Sequence, residues 1–195
     1  KNGSVWRVSR RTTQQQVPDS LCVPMQNVVD ITSKMSADGR LNWEVPPGLW
    51  MIMRMGHVST RHTNATGGGG KGLECDKFNP KAVRLQFDNW VGEVIKQVGP
   101  ELADVVLEVL HVDSWECGSQ NWSPVFREEF KKRRGYDPLP YLPIMAGVPI
   151  QSAEKSESFL YDLRTTIAEL VNDNFYGTLK TLANVNDLDF SAESV

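Results

Sequence analysis

The chain has 195 residues, of which 40% are hydrophobic and 23% are charged, so it can bury an apolar core as one domain or as one domain with a small neighbour. Its formal net charge of −3, from 21 basic and 24 acidic residues, argues against nucleic acid as a partner. No stretch approaches the ~18 consecutive apolar residues of a membrane helix, so no membrane span is expected in this chain.

The first 66 residues are expected to form a β-rich segment that leads into the rest of the chain. Short β-like runs at 28–32 and 41–45 flank a turn signal at 36–39. Pro46-Pro47-Gly48 then precedes a further apolar run at 49–55. This pattern predicts a small antiparallel β unit.

A glycine run, Gly67–Gly72, has the composition of a phosphate-binding loop. No strand leads directly into it, no Ser or Thr follows Lys71, and no helix signal begins at Gly72. The run is therefore predicted to be a flexible or close-approach loop, and a nucleotide-binding module is disfavoured.

From residue 67 onward, helices and strands are expected to alternate. Asn79 and Pro80 predict a helix start, and apolar residues at steps of three and four continue until Gly99-Pro100. The later predicted elements are a strand at 105–112, a helix from Ser123-Pro124, a long helix around 160–182 and a strand at 188–193. Such alternation is typical of a parallel sheet covered by helices. The predicted class is α/β, with residues 67–195 forming part of a (β/α)8 catalytic barrel, since a whole barrel needs ~250 residues.

Two of the predicted strands end in carboxylates. Asp113 and Glu116 follow the first strand, and Glu193 follows the second. In a barrel of this type, catalytic groups lie at the C-terminal ends of the strands, and a pair of carboxylates across a cleft is what glycoside hydrolysis requires. The alternative is that strand ends carry polar residues only because they reach solvent.

Side chains that suit a sugar lie close to Glu116 in the sequence. Trp115 and Trp122 would offer apolar faces to sugar rings, while Gln120 and Asn121 would offer amide donors and acceptors to hydroxyl groups.

Five segments together closely resemble glycoside hydrolase family 106, the α-L-rhamnosidases. They are GHVSTRHTN (56–64), GLECDK (72–77), HVDSWECGSQNWSPVFREEFKKRRGYDPLPYLP (111–143), DLRTTIAELVNDNFYG (162–177) and SAE (191–193). The resemblance implies a (β/α)8 catalytic domain in a larger, multidomain, periplasmic or extracellular bacterial enzyme. It also implies removal of terminal α-L-rhamnose from plant polysaccharides or glycosides with inversion, and a calcium ion at the active site.

The resemblance implies roles for the two glutamates. Glu116 matches the general acid, and Glu193 matches a second active-site glutamate that is either a calcium or substrate ligand or a partner in base catalysis. A further glutamate is expected on the next strand, after Val195, so the chain is expected to be an incomplete piece. A non-catalytic carbohydrate-binding or structural fragment is the alternative function.

The remaining candidates have weaker signals. His57 and Asn64 flank a loop that the family places near the cleft, so they are expected to contact substrate, although a histidine after a strand is often structural. Glu74 and Asp76 offer the hard oxygen ligands that calcium prefers, or they cap the following helix. Asp113 is expected to orient Glu116 or a sugar hydroxyl.

Overall fold

The computed structural model describes residues 17–64, 68–114 and 120–193. The described residues belong to two compact units. Unit 1 contains His57–Phe126 and Thr165–Val195, and unit 2 contains Arg10–Gly56 and Arg127–Arg164.

Most of the regular structure follows residue 79. In chain order it comprises α1 (Pro80–Asn89), α2 (Val91–Val98), α3 (Pro100–Val106), β1 (Val109–Val112), α4 (Phe126–Arg134), α5 (Ala153–Leu170), a π-helical segment (Val171–Tyr176), α6 (Gly177–Val185) and β2 (Asp189–Ala192). Short 3-10 turns lie at Asp19–Leu21, Met25–Asn27, Thr32–Lys34, Gly68–Gly70 and Leu139–Ala146. Among these described helices, none is both long and apolar enough to cross a membrane.

The two strands are parallel neighbours, and the strand pair has an apolar face and a polar face. Leu110 pairs with Phe190, and their face packs on a cluster in unit 1 formed by Phe87, Leu182, Ala183 and Leu188. His111 pairs with Ser191, and both are exposed on the opposite face. Since side chains alternate along a strand, the helices cover one face and leave polar groups on the other.

The start of α1 confirms the prediction at Asn79. The Asn79 side chain accepts a hydrogen bond from Lys81 N at 3.1 Å, and Pro80 is the first helical residue. The helix end predicted at Gly99 is confirmed, since α2 ends at Val98 and Gly99 has a φ of +87°. The prediction of one continuous helix is wrong, because Trp90 interrupts it between α1 and α2.

The expected strand at 105–112 begins later than predicted. Residues 105 and 106 end α3, and β1 starts at Val109. Pro100 explains the shift, because its fixed φ suits a first helical residue and it has no N–H to leave unpaired. By periodicity alone, the run at 105–107 fits either a helix or a strand. The helix start at Pro100 therefore decides that residues 105 and 106 are helical.

The predicted antiparallel β unit is not formed in the described part of residues 17–64. One turn is present, where Ser36 N donates to Arg40 O at 2.9 Å and an isolated bridge joins Met35 and Leu41. The apolar run at 49–55 has no strand assignment, and Leu49 and Met51 are exposed. Within unit 2, the described residues offer this run no partner strand, and a lone strand leaves its backbone groups unpaired. The barrel likewise stays a prediction, since the described sheet has two strands.

The long helix predicted around 160–182 is present and extends further, because helical residues run without a break from 153 to 185.

In unit 2, Phe130, Tyr136, Tyr141 and Phe159 form a cluster of ring contacts with centroids 5.1 to 6.0 Å apart.

Candidate functional site

Three polar side chains meet at the C-terminal end of the parallel strand pair in unit 1. His111, Asp113 and Glu193 are exposed, and one nitrogen or carboxylate oxygen from each lies within 4.8 Å of the others. Glu193 N donates to Val112 O at 2.9 Å, which continues the pairing past the end of β2 and brings Glu193 beside Asp113. We call these three residues the strand-end cluster. The structure thus brings together two residues that the sequence predicted separately.

His111 is a member of this cluster that the sequence analysis did not select. Its Nδ1 lies 3.2 Å from Ser191 Oγ on the neighbouring strand. The alternation of side chains along a strand could have indicated it, because His111 precedes Asp113 by two residues and must share its face. Ser191 had no such signal, since its position depends on which strands are neighbours.

A second group in unit 1 is a hydrogen-bond network around Asp76. Asp76 Oδ1 accepts from Phe78 N at 3.1 Å and from Gln120 Nε2 at 2.5 Å. Asp76 Oδ2 accepts from Ser123 Oγ at 2.6 Å. The network joins the turn at 74–78 to the segment at 120–123, more than forty positions later in the chain.

Gln120 completes this network with both ends of its amide. Its Oε1 accepts from Lys77 N at 3.1 Å, and its Nε2 also donates to Trp122 O at 3.2 Å. Both amide hydrogens therefore have acceptors within the chain. The predicted contact between Gln120 and a sugar hydroxyl stays a prediction, and the geometry gives this side chain a connecting role.

Glu74 contacts a cation of the chain itself. Lys77 Nζ lies 2.6 Å from Glu74 Oε2 and 5.3 Å from the centre of the Phe175 ring, and Lys77 is only 4% exposed. A buried ammonium needs such partners, because its removal from water is costly.

A cavity of about 260 Å³ adjoins the Asp76 network. Predicted site residues His57, Glu74, Asp76, Gln120 and Trp122 are among those that line it, together with His62. Cys75 is also part of the lining, and burial raises the pKa of its thiol to about 11. The cavity wall therefore carries imidazole, indole and carboxylate groups side by side.

Asn64 closes the glycine-rich loop instead of facing this cavity wall. Its Oδ1 accepts from Gly72 N at 2.9 Å, its Nδ2 donates to Gly70 O at 3.1 Å, and an isolated bridge joins Thr63 to Leu73. No helix begins at Gly72, since α1 starts at Pro80, so the loop lacks the geometry of a phosphate-binding loop.

The other predicted substrate contacts have different surroundings. Trp122 is half-buried and packs on Phe126, with ring centres 4.8 Å apart, while Asn121 is exposed. Trp115 and Glu116 lie outside the described residues, so the general-acid prediction has no geometry to compare with it.

Two carboxylate pairs differ in their fit to calcium: Glu74 with Asp76, which the sequence predicted as ligands, and Asp113 with Glu193, which the structure brings together. Calcium takes six to eight oxygen ligands. Asp113 and Glu193 present exposed carboxylate oxygens close to each other and can supply part of this set, although the His111 nitrogen is not a ligand that calcium prefers. Glu74 and Asp76 fit it less well, because their oxygens accept hydrogen bonds from Lys77, Gln120 and Ser123.

Comparison with known proteins agrees with the motifs. The glycoside hydrolase family 106 profile, described as alpha-L-rhamnosidase, matches residues 2–195. A protein of Formosa agariphila named "Putative beta-glucuronidase" is 36% identical over 178 residues, which are 91% of this chain and 15% of that protein. The solved rhamnosidase from Novosphingobium sp. PP1Y is similar with a TM-score of 0.71 and 34% identity, over 85% of this chain and 16% of that one. The chain thus spans about one sixth of the length of these relatives. The resemblance inferred from the motifs is confirmed, and the chain belongs to glycoside hydrolase family 106, the α-L-rhamnosidases.

Proposed function

We propose that the protein carrying this chain is a glycoside hydrolase that releases terminal α-L-rhamnose from plant glycans or glycosides with inversion. The observation that supports this most directly is the strand-end cluster, in which Asp113 and Glu193 lie side by side at the C-terminal ends of parallel strands. That is where catalytic groups lie in α/β barrels. The rhamnosidase family and the solved rhamnosidase relative support rhamnose as the sugar that is released.

Glu116 is the proposed general acid, and Asp113 and Glu193 are proposed to bind the sugar. An inverting acid and base are ~6.5–9.5 Å apart, so that water fits between the base and the anomeric carbon. The oxygens of Asp113 and Glu193 approach within 4.8 Å, so these two do not form that pair with each other. Two adjacent acceptors suit vicinal sugar hydroxyls. We propose that the base is the further glutamate that the family resemblance implies on the strand after Glu193.

Calcium is proposed as the cofactor, with Asp113 and Glu193 as the residues that would hold it. Their oxygen ligands suit a hard cation. When bound, the ion would supply a positive charge that neutralises the two carboxylates and orients sugar hydroxyls. Asp113 and Glu193 themselves would keep the hydroxyls of the terminal sugar on the polar face of the sheet.

The rhamnosidase family and the solved rhamnosidase relative favour a neutral sugar over a uronic acid. Rhamnose has no carboxylate, whereas a glucuronide has one. The proposed substrate is therefore a rhamnoside, with a rhamnose-containing oligosaccharide or glycoside as partner and a periplasmic or extracellular location.

The test compares full-length enzyme and the 195-residue chain on three substrates: an aryl α-L-rhamnoside, an alkyl α-L-rhamnoside and an aryl β-D-glucuronide. We expect the full-length enzyme to cleave both rhamnosides, to leave the glucuronide intact and to form β-rhamnose first, as proton NMR would show. Glu116→Gln should abolish cleavage of the alkyl rhamnoside and spare the aryl one, because a good leaving group needs no proton. Glu101→Gln on α3 is the control.

Three results would contradict the proposal or a part of it. Cleavage of the glucuronide in preference to both rhamnosides would assign a different sugar. Binding of rhamnosides without any turnover by the full-length enzyme would favour the non-catalytic carbohydrate-binding alternative. Equal losses on both rhamnosides in Glu116→Gln would remove the acid role from Glu116.

A further inference from the structure

The cavity of about 260 Å³ in unit 1 has a wall that the chain holds in place with its own hydrogen bonds. Asp76 accepts hydrogen bonds from Gln120 and Ser123, and the buried Lys77 Nζ lies 2.6 Å from Glu74 Oε2. Hydrogen bonds to an ionised group are among the strong ones, so these contacts fix the wall before any ligand binds.

The loop at 57–62 supplies another part of the lining. Arg61 in this loop has a φ of +58°, a left-handed conformation that is uncommon for residues other than glycine. Ser59 Oγ accepts a hydrogen bond from Arg61 N at 3.1 Å, and His62 O accepts one from Glu74 N at 3.0 Å. A conformation of this kind persists only where its surroundings hold it, and such residues cluster at ligand-binding sites.

Three ring groups of the lining have no hydrogen-bond partner among the residues that the structure describes. They are the imidazoles of His57 and His62 and the indole N–H of Trp122. His62 and Trp122 are half-buried, so a ligand in the cavity can reach them where part of the water is excluded. Ligand pockets combine apolar and aromatic surface with a few polar groups that fix orientation, and these rings provide both.

The lining suits a hydroxylated ligand better than an ion. Lys77 is the one lysine or arginine among the described lining residues, and it contacts Glu74, so an anion finds no other such cation. The Asp76 oxygens accept hydrogen bonds from Gln120 and Ser123, which leaves them poorly suited to a metal. Imidazole and indole groups can exchange hydrogen bonds with hydroxyls. The volume lies below the ~300–1,000 Å³ of pockets for larger ligands, which favours a single sugar ring.

We propose that this cavity binds one neutral sugar residue on the leaving-group side of the bond that the hydrolase breaks. This inference rests on the proposed function, in which Asp113 and Glu193 bind the terminal rhamnose. None of the described lining residues belongs to the strand-end cluster, so the occupant of the cavity is a different sugar. A terminal rhamnose is joined to the glycan only through its anomeric carbon, so every other sugar of the substrate lies beyond the bond that breaks.

The test uses the full-length enzyme and compares KM for methyl α-L-rhamnoside with KM for a rhamnosyl-glucose disaccharide. We expect His62→Ala to raise KM for the disaccharide by ~3- to 10-fold, because one hydrogen bond to the leaving sugar is lost. KM for the methyl rhamnoside should rise much less. His62→Gln keeps a side chain that can hydrogen-bond and should restore part of the affinity for the disaccharide.

Trp122→Phe provides a second route if His62→Ala does not fold. It keeps an aromatic ring beside Phe126 but removes the indole N–H, and it should show the same selective rise in KM. Trp90→Phe is the matched control, because it removes the N–H of an indole that is 64% exposed and does not line the cavity. It should change neither KM.

A sulfur-linked rhamnosyl-glucose, which resists cleavage, gives a readout that does not depend on turnover. Its affinity, measured by calorimetry, should fall ~3- to 10-fold in His62→Ala and in Trp122→Phe. In wild-type enzyme, a rhamnosyl-glucuronic acid disaccharide should have a higher KM than rhamnosyl-glucose, since the lining offers its carboxylate no cation beyond the paired Lys77.

Three results would overturn the inference. Equal rises in KM for both substrates would assign the terminal rhamnose to the cavity, and no rise for either would make His62 and Trp122 structural. A lower KM for the glucuronic acid disaccharide would exclude a site for neutral sugars. Absence of rhamnoside cleavage by wild-type enzyme would instead refute the proposed function. Unchanged affinity of both variants for the sulfur-linked disaccharide would then refute the sugar site separately.

Discussion

His111 and Ser191 face each other across the parallel strands, with Nδ1 and Oγ 3.2 Å apart, two residue pairs before Asp113 and Glu193. This contact restricts the imidazole on the polar face of the sheet. The strand-end cluster therefore offers one nitrogen and two carboxylate oxygens to any cation that binds there.

This donor set predicts different responses of two cations to substitution. Imidazole suits zinc better than calcium, whereas carboxylates can bind both cations. We expect His111→Ala to weaken zinc binding by ~10-fold or more and to change calcium binding little. Glu193→Gln should weaken both. Isothermal titration calorimetry of the full-length protein with each metal alone measures these affinities.

Asp189→Asn is the control for this comparison. Asp189 is exposed on β2 and lies on the same face as Glu193, but at the other end of the strand. Its substitution removes the same charge without touching the cluster. Equal losses of calcium affinity in Asp189→Asn and Glu193→Gln would show that overall charge, and not the cluster, attracts the cation.

The helices could be predicted because their signals are local in sequence. The pairings between residues far apart in the chain could not be predicted in this way. The cap at Asn79 depends on a side chain and on residues next to it, so the sequence specifies it directly. The neighbourhood of Asp113 and Glu193 depends on a strand pairing across about eighty residues, and was expected only through the barrel hypothesis. The bond from Gln120 to Asp76 had no signal at all, because an amide near a tryptophan suits a sugar as well as it suits a buried carboxylate.

The expected strands before residue 56 were wrong for the same physical reason. Apolar residues in such a run indicate that the sequence is compatible with a strand. A strand forms only where a neighbouring strand pairs with its backbone N–H and C=O groups. In the described part of unit 2, Leu49 has no such partner and is exposed.

The cluster beneath the strand pair predicts a contrast between two residues of α1. Phe87 is 4% exposed and packs with Leu110 and Leu182, whereas Leu85 is 65% exposed. Phe87→Ala should lower the free energy of unfolding by ~3–5 kcal/mol through lost contacts and a cavity. Leu85→Ala should change it by less than ~0.5 kcal/mol. Urea denaturation followed by circular dichroism measures both, and similar losses would contradict the packing.

The ion pair between Arg127 and Asp137 in unit 2 predicts a pH dependence of stability. The Arg127 side chain, 2.6 Å from Asp137 Oδ2, holds the pKa of that carboxyl below its ordinary value of 3.8. A folded-state pKa below the unfolded one stabilises the protein above pH ~4, and the contribution disappears as pH falls through the folded value.

Asp137→Asn should therefore destabilise the protein at pH 6 and have little effect near pH 2. The effect is small, because both side chains are partly exposed and water screens the pair. Urea denaturation at both pH values is the measurement, with Arg127→Gln as the variant that removes the other partner. A destabilisation that stays constant from pH 6 to pH 2 would point to lost packing and not to the charge.

Cys75 allows a chemical test of the burial beside the Asp76 network. Burial raises the pKa of its thiol from 9.0 to about 11, with the Glu74 and Asp76 carboxylates adding to the rise and Lys77 opposing it. Since the thiolate is the reactive form, the native thiol should react with iodoacetamide at pH 8 ~100-fold more slowly than the thiol of the urea-unfolded chain. The rate should also continue to rise between pH 9 and 10, where that of the unfolded chain levels off.

The measurement uses a variant with Cys22→Ser and Cys117→Ser in EDTA, so that Cys75 is the reacting thiol and no metal intervenes. A raised folded-state pKa stabilises the protonated native form, so the free energy of unfolding should fall as pH rises above 9. A native rate that levels off near pH 9 would show that Cys75 is solvated, and that the wall of the cavity beside Asp76 is open to water.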